Sequence, residues 1–87
     1  MKFKYSKIYY NNLTLAVVLV NSFITKAPGI GYVRQLFSNA LNIDERLIVL
    51  ASETPNGNIE YIYGHEKVIK LIKNNEIQFV WEIYDGL

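Results

Sequence analysis

The chain has 87 residues, of which 51% are apolar and 20% charged, the balance of one folded domain over residues 1–87 and not of a disordered chain. It contains no cysteine and a single histidine, His65. This excludes disulfides, thiolate metal sites, iron–sulfur clusters, thiol nucleophiles and multi-histidine metal centres, and no cofactor or metal is expected.

The net charge of +1 is unevenly divided. Residues 1–43 hold Lys2, Lys4, Lys7, Lys26 and Arg34 and no acid, whereas residues 44–87 hold eight acids against Arg46, Lys67, Lys70 and Lys73. Such polarity suits head-to-tail association or one basic face. The most apolar run, Leu13 to Val20, falls well short of the roughly 20 residues that a membrane helix needs, so no membrane partner is expected. With no cleavage-site pattern behind that run and no cysteine, the expected location is cytoplasmic.

In chain order, residues 2–10 alternate as a strand. Phe3, Tyr5, Lys7 and Tyr9 share one face, and Lys2, Lys4, Ser6 and Ile8 the other. Lysines interleaved with aromatics can grip single-stranded nucleic acid. Three lysines supply too few phosphate contacts, however, so the strand is expected at a sheet edge, its lysines opposing aggregation. Asn11-Asn12 signals a turn, because asparagine tolerates positive φ. Leu13 to Val20 is apolar on both faces, the pattern of a central strand.

A helix is expected over residues 30–41, with Ile30, Val33, Phe37, Ala40 and Leu41 in one stripe and Asn42 as its stop. Leu47 to Ala51 reads as a strand. The turn Thr54-Pro55-Asn56-Gly57 then leads to its hairpin partner, Ile59 to Tyr63. Gly64-His65 breaks the strand, and residues 66–74 form a second helix with Glu66 in its first turn. Ile77 to Tyr84 is the last strand, with Ile77, Phe79, Trp81 and Ile83 on one face.

From residue 13 the order is β-α-β-β-α-β. The expected fold class is α+β: a ferredoxin-like antiparallel sheet with both helices on one face, plus an extra N-terminal strand. A tight Asn11-Asn12 hairpin conflicts with that order, since it puts residues 2–10 where the last strand belongs. Either the hairpin opens or the sheet order departs from the standard one. One sheet face is left uncovered and apolar in this arrangement, which predicts a homodimer.

Chemistry is sparse. His65 stands at a strand–helix junction with no serine at a recognisable spacing, so a capping or surface role is expected. Asp44, Glu45, Glu53 and Glu60 show no convergent spacing. Pro28-Gly29-Ile30-Gly31 is the one stretch with site chemistry: glycines admit a ligand to the main chain, and the helix start that follows favours an anion. It is neither a Walker motif nor a dinucleotide fingerprint.

Two resemblances attach to these residues. Pro28-Gly29-Ile30 with the helix exit Ala40-Leu41-Asn42-Ile43 resembles the ACT family of small-molecule-sensing regulatory domains, over about residues 13–75. That resemblance implies a non-enzymatic, paired domain binding an amino-acid-type ligand near the first strand–helix turn, with Asn21, Ser22, Pro28, Gly29, Ile30 and Gly31 as candidate contacts. Gly29-Ile30-Gly31-Tyr32 and Pro55-Asn56-Gly57 look like the corresponding loops of acylphosphatases. There the phosphate-holding arginine and the water-orienting asparagine would stand at Val33 and Glu53, which argues against hydrolysis. A small nucleic-acid- or protein-binding accessory protein on the same fold is the remaining alternative.

Overall fold

The computed structural model describes residues 2–21, 29–75 and 77–86. It is an α+β arrangement of five strands and two helices. The strands are β1 (Lys2–Tyr10), β2 (Leu13–Leu19), β3 (Ile48–Glu53), β4 (Ile59–Tyr63) and β5 (Glu82–Asp85). The helices are α1 (Ile30–Leu41) and α2 (Glu66–Asn74), and a single 3₁₀ turn, Glu45–Leu47, leads into β3. None of the described helices is long and apolar enough to cross a membrane.

The five strands form one sheet in the order β4-β3-β2-β1-β5. β2 is central, as its doubly apolar sequence requires, and Leu15, Ala16, Val17 and Val18 are all buried. The sheet is mixed: β2 and β3 run parallel, and the other neighbours are antiparallel. This departs from the ferredoxin-like antiparallel order. Two placements make the difference. β4 pairs outside β3 rather than between β2 and β3, which leaves β2 and β3 as parallel neighbours. Asn11 and Asn12 take φ of 47° and 65°, so the two-residue turn closes tightly. It pins β1 against β2, with Tyr10 opposite Leu13, in the place the last strand would otherwise take. β5 pairs outside β1 instead. β1 is therefore an interior strand and not the expected edge.

The helices do not share a face either. Along β2, Ala16 and Val18 pack with Phe37 of α1, while Leu15 and Val17 pack with Ile72 of α2. β3 divides in the same way, Ile48 and Leu50 against Val49 and Ala51. Two strands buried on both faces need cover on both sides, and one helix on each side supplies it. The apolar face that argued for a homodimer is thus covered within the chain: Leu15, Val17, Val49 and Ala51 are at most 1% exposed.

Local chemistry fixes the element ends. Asn42 takes φ 55° as the stop of α1, and its N–H donates to the Ser38 carbonyl. The Ile43 N–H reaches the same carbonyl at 3.2 Å, the pattern of a Schellman close. The Ser38 hydroxyl donates to the Ile43 carbonyl, and Ile43 is buried beside α1. A bulge at Ile62 lets Tyr61 pair with Ala51 and Tyr63 with Leu50. Period-two alternation would place both tyrosines on one face; the bulge sends Tyr63 to the α1 side and Tyr61 to the α2 side. Each meets a cation from the helix on its side, Arg34 at 4.9 Å and Lys73 at 5.5 Å from the ring centres.

The last strand is shorter than its alternation suggests. Ile77, Phe79 and Trp81 do share one face, packed on the α2-side cluster, and Phe79 stacks on Trp81 at 5.1 Å. Ladder pairing begins only at Glu82, opposite Tyr5. Just before it, the Val80 N–H donates to the Ser6 hydroxyl at 3.2 Å, which satisfies a side chain that is wholly buried. Ile83 does not join the inner face but is 62% exposed, and Tyr84 turns to the α1 side.

Candidate ligand-binding site

The first candidate is the turn between β2 and α1. Of its expected residues, Ser22 and Pro28 lie outside the described residues. Asn21 is exposed two residues past the end of β2. Gly29 opens α1 at φ 92°, a left-handed backbone that favours glycine, and no side chain caps the helix there. Among the described residues, a Cβ built on Gly29 would touch nothing within 4 Å. The Gly29 carbonyl accepts from the N–H groups of Tyr32 and Val33 at 2.9 and 3.1 Å. Ile30 packs against the α1-side core. Gly31 stands against the β4 edge, where an added Cβ would meet the Tyr63 hydroxyl at 3.4 Å.

The residues read for hydrolysis do not come together. Val33 packs on the core, Glu53 is exposed at the end of β3, and Arg34 lies over Tyr63. Glu60 pairs with Ser52 across β3 and β4, at the opposite end of β3 from Asp44 and Glu45. Among the described residues no three His, Asp or Glu side chains group to hold a metal ion. His65 caps α2, its Nδ1 accepting the Lys67 N–H at 3.2 Å.

A second candidate escaped the sequence reading. A cleft of about 470 Å³ opens where β2 begins, the 3₁₀ turn enters β3 and α2 starts. Leu13, Leu47 and Val68 give it an apolar floor, and Asp44, Arg46, His65 and Lys67 edge it. No motif joins these residues. They come from three separate stretches that meet only because β3 lies parallel beside β2 and α2 leaves β4 at the same end.

Asp44 and Arg46 form a closed unit at the cleft edge. Asp44 Oδ1 accepts from the Arg46 N–H at 2.9 Å and from its Nε at 3.1 Å, and Oδ2 accepts from Nη2 at 2.9 Å. The Arg46 side-chain hydrogen bonds, followed by its backbone N–H, hold the Asp44 carboxyl down from 3.8 to about 2. A pKa lowered by folding contributes stability that is present above the unfolded value and lost as pH falls through the folded one. Carbon-detected titration of the folded protein should therefore place the Asp44 midpoint near 2, and Arg46→Ala should return it toward 3.8. A wild-type midpoint near 3.8 would mean that the pair does not persist in solution.

Comparison with known proteins finds no match among protein-family models, curated proteins or solved structures.

Proposed function

We propose that the chain is a non-enzymatic binding domain that takes a small amino-acid-type ligand near the turn between β2 and α1. One observation carries this reading: β2 and β3 are parallel neighbours in the middle of the sheet, joined through α1. In open α/β sheets ligands settle outside the carboxyl ends of the parallel strands, and the single parallel β2–α1–β3 unit offers the corresponding end here. Asn21 follows the carboxyl end of β2, and Gly29 opens the helix that leads back from it. No side chain caps α1 at Gly29, and the first-turn amides of a helix, which have no partner within it, favour a ligand carboxylate. The reading needs no second copy of the chain. It shares with the ACT-like resemblance the strand–glycine turn–helix unit, but not the sheet order.

The test is an amide chemical-shift titration of the labelled protein with free amino acids at millimolar concentration. Shifts gathered at Asn21, Gly29, Ile30 and Gly31 are expected with a subset of them. If no amino acid moves any of these amides, the reading is lost.

A further inference from the structure

We infer that the cleft at the other end of the sheet is a separate binding site, for a small amphiphile with an apolar body and an anionic head, carboxylate or phosphate. The inference is independent of the β2–α1 turn. At about 470 Å³, the cleft lies within the roughly 300–1,000 Å³ of small-molecule sites. Its floor is apolar and open to solvent, with Leu13 46% exposed at the first position of β2. Leu47 and Val68 are half-buried and continue that floor into the α2-side core.

The polar edge is rich in donors and poor in acceptors. Asp44 is its only acid, and the Arg46 fork occupies both its oxygens. Its charge and that of Arg46 cancel locally. Lys67 is exposed and its ammonium forms no ion pair among the described residues. This contrasts with Lys70, paired with Glu66 at 3.2 Å one turn on. His65 spends Nδ1 as an acceptor from the Lys67 N–H, so the neutral ring carries its proton on Nε2 and presents a second donor. Of the charged side chains that line the cleft, Lys67 is thus the one left without an ion-pair partner among the described residues, while Glu45 acts on Arg46 from beside the cleft.

Such a lining selects by halves. An apolar molecule would cover Leu13 but take Lys67 partly out of water without a partner. A bare anion would meet Lys67 and His65 but leave the floor wet. A ligand that carries one negative head on an apolar body satisfies both.

The experiment is an amide chemical-shift titration of the whole chain with four probes: 4-phenylbutyrate, phenyl phosphate, benzyl alcohol and inorganic phosphate. We expect saturable shifts at Leu13, Arg46, Lys67 and Val68 with one or both aromatic anions. The alcohol and inorganic phosphate should each bind about tenfold more weakly. Which aromatic anion binds better identifies the head as carboxylate or phosphate. Lys67→Glu should weaken the anions about tenfold and leave the alcohol unchanged. An acid in the first turn of α2 suits the helix, so this variant keeps the fold. Leu13→Thr, which preserves strand preference, should weaken both aromatic anions without altering inorganic phosphate. Equal binding of alcohol and anions, unchanged binding in Lys67→Glu, or no localised shifts with either aromatic anion would overturn the inference. Shifts at Gly29 to Gly31 instead would overturn it as well, while favouring the β2–α1 turn.

Discussion

Leu15→Ala and Leu50→Ala are expected to destabilise the protein to a similar extent, about 2–5 kcal/mol each, the usual cost of removing a buried leucine side chain. The equality is informative because the two side chains point to opposite faces of the sheet. Leu50 lies in the cluster under α1, and Leu15 in the cluster under α2. They are 0% and 1% exposed. If both helices covered one face, one of these leucines would look toward solvent and its truncation would cost little. Urea unfolding of the two variants decides this. Both midpoints should fall with the slope unchanged, since an unaltered slope marks a change in stability without a change in the surface exposed. A cost below about 1 kcal/mol for Leu15→Ala alone, in the range of surface substitutions, would return the sheet to a one-sided arrangement.

The same two strands show what the residues could reveal and what they could not. The ranges of α1 and α2 follow from their apolar stripes, from Asn42 at one helix end and from Gly64-His65 before the other. The central place of β2 follows from four consecutive buried residues. Strand periodicity reports which faces of a strand are buried, but it does not say which strand lies beside it. A parallel neighbour for β2 and an outer position for β5 were therefore not legible, although the Asn11-Asn12 hairpin already conflicted with the ferredoxin-like order. The need for cover on both faces was visible in Leu13 to Val20. The run itself does not say whether a second copy or another part of the chain supplies that cover; α2 and the stretch Ile77 to Trp81 supply it. The bulge at Ile62 carries no glycine or proline to announce it. The cleft edged by Asp44, His65 and Lys67 depends on the sheet order and was hidden with it. At the β2–α1 turn, the αL backbone of Gly29 agrees with its reading as a glycine turn.

Phe3→Ala is expected to have the larger local consequence, because one ring joins three elements. Phe3 of β1 is 8% exposed. It stacks on Tyr84 of β5 at 4.8 Å, meets Phe37 of α1 edge-on at 4.6 Å and lies 5.8 Å from Tyr5. β5 has four residues and pairs only with β1, so the strand itself is fastened by a short ladder to which the Tyr84 contact adds, beside the Val80–Ser6 bond just before it. Truncating a buried phenylalanine costs about 3–5 kcal/mol. At roughly 0.05–0.15 kcal/mol per residue, a chain of this size has about 4–13 kcal/mol in all. The variant should therefore lose a large share of its stability. Hydrogen exchange should show where it goes first: those β5 amides that bond to β1 lose protection before the amides of the central strands β2 and β3, because an edge held by few contacts opens locally. Phe3→Leu separates volume from ring geometry. It refills most of the space but forgoes the aromatic pairs, each worth about 0.5–1.5 kcal/mol beyond burial, and should fall between wild type and alanine. Should β5 keep its protection in a folded Phe3→Ala protein, the ring cluster would not be what holds that edge, and the buried Ser6 hydroxyl with its bond from Val80 would be the anchor to examine next.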